Sequence, residues 1–154
     1  MRTKIEQKNR IMNPYKICNV RVKQLGGAPF SATIIVEVEF EIESGEKVFY
    51  AIMETEGLPM LFKSKTSMYE ELVALENDYD EQEKIIESEN LLFECDSYED
   101  LFQKEDEIIP ELALRYLVYI VREDWDKMNE YIENTKGKYL SEIEIPPSDV
   151  DLFH

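Results

Sequence analysis

Residues 32–43 constrain the fold more than any other stretch of this chain. Apolar and polar side chains alternate along the stretch, and the side chains of a β-strand point alternately to its two faces. The apolar face carries Ala32, Ile34, Val36, Val38, Phe40 and Ile42. The opposite face carries Glu37, Glu39, Glu41 and Glu43. This pattern predicts a strand with one face in a core and an acidic face that meets water or a partner.

A tight hairpin follows this strand. Glu43-Ser44-Gly45 predicts a three-residue loop, because glycine readily takes the left-handed conformation that closes such a turn. The resulting register pairs Phe40 with Val48, Val38 with Tyr50 and Val36 with Ile52. A slip of one residue would instead bring Phe49, Ala51 and Met53 beneath the core.

The second strand of the hairpin, residues 46–54, is apolar on both faces from Val48 to Met53. Its second face therefore needs a cover, and we expect either a helix of this chain or another copy of it. Residues 15–25 predict a further strand upstream, because Cys18, Val20 and Val22 lie two residues apart.

The second half of the chain predicts helices. Residues 63–108 form an acidic helical stretch, in which Ser67 and Glu70 make a capping box and residues 81–94 are interpreted as helix. A long helix is predicted over residues 110–136, with Gly137 after its end.

The predicted fold class is α+β. An antiparallel sheet of three to four strands (15–25, 32–43, 46–54 and 140–145) packs with the long C-terminal helix and shorter acidic helices. We expect residues 1–154 to form a single domain, with residues 1–12 flexible and residues 146–154 an extended tail.

Charge excludes several classes of function. The 34 acidic and 17 basic residues give a net charge of −17, which argues against nucleic-acid binding and against docking on an anionic membrane. No apolar run reaches the roughly 20 residues of a spanning helix. Cys18 and Cys95 fit ordinary reduced thiols. We therefore expect a cytoplasmic protein.

Catalytic constellations are close to absent. The single histidine, His154, is the last residue, and none of the five glycines belongs to a phosphate-binding motif. Residues 77–81 carry oxygen ligands but lack the glycine and the final glutamate of a calcium loop. The sequence thus predicts no enzyme, no metal site and no cofactor.

Three stretches resemble the SecB family of export chaperones and its SecB-like relatives. Residues 15–23 are similar to the family's opening strand, and residues 32–62 resemble its central hairpin with a glycine-containing crossover and an apolar strand. Pro147-Ser-Asp-Val-Asp-Leu-Phe153 is similar to the terminal pattern, one residue short. The chain departs from the family at Ile109-Pro110, where an aromatic residue usually precedes the helix, and in the length of its acidic middle.

The resemblance implies an ATP-independent holdase that binds unfolded or aggregation-prone polypeptides and forms a homotetramer. Its partner would be the motor SecA or, in a toxin–antitoxin system, an aggregation-prone antitoxin. An adaptable apolar groove accepts many sequences. The candidate client-binding residues are Phe49, Ala51, Met53, Leu58, Met60, Leu61 and Phe62. Glu37, Glu39 and Glu41 are the candidate acidic docking face. The apolar residues also fit a plain core or an oligomer interface.

The alternative is an acidic inhibitor or immunity protein. Residues 66–111 contain seventeen acidic and two basic residues, and such a stretch suits the occlusion of a basic site on a toxin, a nuclease or another nucleic-acid-binding protein. The two hypotheses differ in salt dependence, because apolar burial tolerates salt whereas charge pairing weakens. They differ in assembly too, since a tetramer favours the holdase and a one-to-one complex favours the inhibitor.

Overall fold

The computed structural model describes residues 15–25, 33–75, 78–86, 91–103 and 109–147. Five antiparallel strands form one sheet in the order of the chain: β1 Lys16–Leu25, β2 Thr33–Glu41, β3 Lys47–Thr55, β4 Leu58–Ser64 and β5 Leu91–Glu94. The helices are α1 Met68–Ala74, α2 Tyr79–Ile86, α3 Tyr98–Phe102, α4 Glu111–Arg122 and α5 Trp125–Thr135. The predicted α+β class is confirmed. The predictions for residues 1–12, for Ala32 and for the tail beyond Pro147 lie outside the described residues.

The β2–β3 hairpin has the register that the sequence predicts. Phe40 pairs with Val48, Val38 with Tyr50 and Val36 with Ile52. Gly45 has a φ of 88°, which is the left-handed conformation the turn requires. The alternative register, slipped by one residue, is wrong.

Two more strands follow the hairpin: β4 includes residues 60–62, where the family resemblance implies an apolar strand, whereas β5 lies in a segment predicted as helix. β4 follows β3 across a two-residue turn in which Glu56 and Gly57 both have positive φ, a geometry that matches the twist of a hairpin. β5 lies within residues 81–94, which were predicted as helix. That prediction is wrong for residues 91–94, because Leu91, Phe93 and Glu94 pair with β4 and so lie along the sheet.

The single helix predicted over residues 110–136 is wrong, because the structure has two helices. Glu123 and Asp124 are extended, and the Asp124 side chain accepts a hydrogen bond from the Lys127 N–H at 3.1 Å. An aspartate with this geometry begins a new helix, since it satisfies one of the otherwise unpaired amide groups of the first turn.

The strand predicted over residues 140–145 is wrong as well. Leu140–Glu142 form a single 3₁₀ turn, and the Glu142 carboxylate accepts a hydrogen bond from the Tyr139 N–H. Tyr139 makes an isolated bridge to Lys16. The alternating pattern here buries Leu140 against the core, whereas Ile143 and Ile145 only border it.

Helices cover both faces of the sheet. On the first face, α3, α4 and α5 pack over a large apolar cluster that includes Val38, Phe40, Tyr50, Ile52, Leu61, Leu101, Leu117 and Ile120. On the second face, α1 packs over a smaller cluster made of Ile35, Ala51, Met53, Phe62, Met68 and Leu72. A helix of this chain is thus the cover that the apolar third strand requires.

Candidate binding surfaces

The candidate client-binding residues do not form one exposed surface. Ala51, Met53, Leu61 and Phe62 are buried, with at most 2% of each residue exposed. Leu61 belongs to the first-face cluster, whereas the other three lie on the second face beneath α1. Phe49 and Met60 are partly buried, and Leu58, at the start of β4, is 50% exposed. The groove predicted from the sequence is closed in this conformation.

We refer to α1 and α2 together as the helical cover. Met68 and Leu72 are the two buried side chains of α1, and Tyr69 and Ile85 are partly buried at the border of the same cluster. The Gln82 side chain of α2 donates to the Leu72 carbonyl oxygen at 2.9 Å and so joins the two helices. Both helices are short, so their order depends on contacts with the sheet.

A buried carboxylate anchors the helical cover to the sheet. Glu37 is fully buried, and it accepts hydrogen bonds from the Ser67 hydroxyl at 2.6 Å and from the amide groups of Met68 at 2.8 Å and Tyr69 at 3.0 Å. These amides belong to the first turn of α1, which has no partner for them within the helix. Arg21 adds an ion pair at 3.5 Å. Glu37 lies in β2, but it therefore caps the N-terminus of α1 in the way that an N-cap side chain would.

Burial raises the pKa of the Glu37 carboxyl above its usual value. The hydrogen bonds from Ser67, Tyr69 and Met68 and the nearby Arg21 guanidinium act in the opposite direction, because each stabilises the ionised form. Desolvation is the largest of these effects. The anchor thus contains a carboxylate that folding makes harder to ionise.

The other two members of the predicted docking face are held in internal ion pairs. Arg21 lies 3.4 Å from Glu39, and Lys47 lies 3.5 Å from Glu41 and 3.9 Å from Glu39. The Lys47 ammonium also lies 3.2 Å from the Cys18 sulfur. Glu37, Glu39 and Glu41 are brought together along β2 as the sequence predicts, but cations of the same chain neutralise much of their charge.

Exposed carboxylates lie instead on the segments that follow the sheet's first four strands. We call this set the acidic surface; its members are Glu70, Glu71, Asp78, Asp80, Glu81, Glu83, Glu94, Asp96 and Glu99. Among the described residues, only Glu70 and Glu81 of this set have ion-pair partners, which are Arg21 and Lys84. The other seven carboxylates remain available to a partner.

Sequence reasoning missed the role of Glu37. The alternation places it correctly on the face opposite Val36 and Val38, but its partners are about thirty residues away in the chain. A usable signal was the apolar second face of β3, because a carboxylate beside Ala51 must share whatever covers that strand.

The part of the chain that the structure describes contains no group of three or more histidine, cysteine, aspartate or glutamate side chains arranged to hold a metal ion. None of the described helices combines the length and the apolar character that crossing a membrane demands.

Comparison with known proteins adds no relative: no protein-family model matches the chain, and no significant match appears among curated proteins or solved structures. The resemblance to the SecB family therefore stays a prediction from the sequence.

Proposed function

We propose that this protein is an acidic binding protein that occludes a basic site on a partner such as a toxin, a nuclease or another nucleic-acid-binding protein. The observation that supports this proposal is the acidic surface, seven of whose carboxylates form no close ion pair with a residue that the structure describes. The seven candidate client-binding residues, by contrast, are mostly buried. The folded chain thus exposes acidic side chains and buries most of the candidate client-binding residues.

Long-range attraction is the physical basis of this function. A net charge of −17 accelerates encounter with a basic partner, and complementary charge at the contact excludes wrong partners. Exposed carboxylates present to a nuclease cleft the same sign of charge that phosphates present. Occlusion requires no catalytic group.

The test is a pair of charge-reversed variants with equal net charge. Asp80→Lys with Glu83→Lys alters α2 within the acidic surface, and Glu130→Lys with Glu133→Lys alters exposed positions of α5 outside it. Affinity purification from the native cell at low and high salt, followed by inhibition assays on the captured protein, measures the effect. The α2 variant should lose capture and inhibition, whereas the α5 variant should keep both. Equal loss in the two variants, or capture that does not weaken with salt, contradicts the proposal.

A second candidate function is the SecB-like holdase, and the helical cover favours it. Ala51, Met53 and Phe62 lie directly under α1, so displacement of a short helix would create the apolar groove that a holdase requires. Client segments would then replace Met68 and Leu72 over the second face. Apolar burial of this kind is insensitive to sequence and tolerates salt.

Aggregation assays on several unrelated unfolded proteins test the holdase, with native mass spectrometry to measure assembly. Leu72→Ala should strengthen the suppression of aggregation, because it loosens the cover, and Glu71→Ala at an exposed position of the same helix should leave suppression unchanged. Absence of suppression for the wild type and for Leu72→Ala rejects this candidate. A tetramer would favour it over the inhibitor.

A further inference from the structure

An open cavity of about 690 Å³ lies at one end of the sheet. It is bordered by the β2–β3 hairpin, by the end of β4 with the residues after it, and by the residue that precedes β1. Tyr15, Ile42 and Val48 form its apolar wall. Lys63, Lys65 and Thr66 also line it. Its volume falls within the roughly 300 to 1,000 Å³ typical of small-molecule sites.

The charge of this cavity is opposite to that of the protein. Lys47, Lys63 and Lys65 line it together with a single acid, Glu46. Lys47 is already paired with Glu39 and Glu41. Lys63 and Lys65, by contrast, form no ion pair with any residue that the structure describes. Two unneutralised ammonium groups beside one cavity are unexpected in a chain with twice as many acidic as basic residues.

Hydroxyl and aromatic groups complete the cavity. Ser64 accepts a hydrogen bond from the Thr66 N–H at 3.2 Å, so its own hydroxyl hydrogen is directed elsewhere. The Lys63 ammonium lies 5.7 Å from the centre of the Tyr50 ring, a contact that holds the side chain over the first face. Tyr15 packs edge-on against Phe40 with ring centres 5.7 Å apart. The apolar wall is therefore backed by the core.

We propose that this cavity binds a small organic phosphate. Two lysine ammonium groups with nearby hydroxyls suit a phosphate group, since lysine binds phosphate as a point charge and hydroxyls donate to its oxygens. Inorganic phosphate alone would leave most of the volume empty. The wall formed by Tyr15, Ile42 and Val48 suits an apolar or aromatic body attached to the phosphate. This site lies outside the acidic surface and does not depend on either function proposed above.

A titration followed by backbone amide NMR tests the site in the full chain. The probes are adenosine 5′-monophosphate, ribose 5-phosphate, adenosine and inorganic phosphate. The monophosphate should give saturable shifts confined to Tyr15 and to residues 42–48 and 63–66. Adenosine and inorganic phosphate should bind at least about tenfold more weakly, because adenosine lacks the phosphate and inorganic phosphate lacks the apolar body. Ribose 5-phosphate that binds as tightly as the nucleotide would contradict the role assigned to the apolar wall.

Variants separate this site from general attraction of anions to lysines. Lys63→Gln and Lys65→Gln should each weaken binding about tenfold, as expected for loss of a charged hydrogen bond. Lys84→Gln and Lys127→Gln alter exposed lysines of α2 and α5 and should have no effect. All four positions are exposed, so the fold should persist, and circular dichroism verifies this. The proposal is overturned if inorganic phosphate binds as tightly as the monophosphate. Equal losses of affinity at all four lysines overturn it as well.

Discussion

The two faces of the sheet are covered in different ways. On the first face, α4 and α5, of twelve and eleven residues, join α3 over a large continuous apolar cluster. On the second face, the seven-residue α1 contributes two buried apolar side chains, Met68 and Leu72. The first cover rests mainly on the larger apolar cluster, whereas the second combines a small apolar cluster with the buried Glu37 anchor. We therefore expect the two covers to differ in stability.

The polar contacts of the two covers differ accordingly. On the first face, the Tyr116 and Thr135 hydroxyls lie 2.6 Å apart and join α4 to α5, and burial raises the pKa of Tyr116 to about 12. Neither group carries a charge at neutral pH. On the second face, the anchor is a carboxylate with an arginine beside it. The first face also has a carboxylate, Glu54, which accepts from the Tyr98 hydroxyl of α3 and lies 3.0 Å from the Arg122 guanidinium of α4. Glu37 differs from it in being fully buried and in accepting hydrogen bonds from the first turn of α1.

Truncation of one leucine on each face should give the largest contrast. Leu117 in α4 and Leu72 in α1 are both almost completely buried, at 0% and 1% exposed. Leu117→Ala should lower the free energy of unfolding by about 3–5 kcal/mol, because the surrounding cluster cannot collapse into the cavity. Leu72→Ala should cost less, about 2 kcal/mol, because a short surface helix relaxes or opens.

Urea unfolding measures the two losses, and hydrogen exchange shows where they occur. Leu117→Ala should reduce protection in all five strands, whereas Leu72→Ala should reduce it mainly in α1 and α2. Equal losses with equal patterns of exchange would mean that the two covers unfold as one unit and would remove the contrast.

Removal of the anchor should have the next largest effect. Glu37→Ala leaves the Met68 and Tyr69 amides and the Ser67 hydroxyl without their acceptor, and we expect a loss of about 2 kcal/mol from those unsatisfied donors. Glu39→Ala, on the same face, removes a partly exposed ion pair and should cost less than about 1 kcal/mol. Exchange protection of α1 is the more specific readout. A Glu37→Ala variant that keeps α1 protected would show that apolar contacts alone hold it.

Local sequence patterns were sufficient for the β2–β3 hairpin. Alternation predicted the apolar face of β2, and the Glu43-Ser44-Gly45 loop predicted the register, since a slip by one residue would bring Phe49, Ala51 and Met53 beneath the core. The break between α4 and α5 also had a local signal, since Asp124 stands where an N-cap belongs. That signal was outweighed by an apolar stripe that continues on both sides of it.

The second face depends on contacts between distant residues, and single-sequence reasoning reaches these poorly. Leu91, Leu92 and Phe93 form an apolar run that is too short for its periodicity to distinguish a strand from a helix. The segment forms a strand because it pairs with the edge of β4. Glu37 resembles its solvated neighbours in the sequence, although α1 buries it. The same long-range contacts close the predicted client groove, so the candidate site could not be judged before the fold was known.

The serine N-caps of α1 and α3, one on each face of the sheet, allow a smaller and more closely matched comparison. Ser67 caps α1 and Ser97 caps α3, and each accepts from the amide three residues on, at 3.1 Å in both cases. Ser97→Ala should cost about 1 kcal/mol, as usual for a lost cap. Ser67→Ala should cost more, up to about 2 kcal/mol, because its hydroxyl also donates to the buried Glu37 carboxylate. Thermal unfolding of both variants at one pH measures the difference, and a larger loss for Ser97→Ala would contradict the role assigned to the anchor.

The smallest effect is a change in pH dependence caused by Glu37→Gln. Burial raises the folded-state pKa of Glu37 above its usual 4.5, so at a pH between these two values the folded protein holds a proton that the unfolded chain has released. The contribution of Glu37 to stability is therefore full below pH 4.5 and declines as the pH rises through the folded-state pKa. Glutamine does not titrate, so the stability of the variant relative to wild type should improve as the pH rises through this window.

Urea unfolding at several pH values measures this difference, in which the contributions of the other carboxylates cancel, and Glu39→Gln is the matched control. A difference that is flat with pH would mean that the hydrogen bonds from Ser67 and α1 balance desolvation, and a change in the opposite direction would mean that they outweigh it.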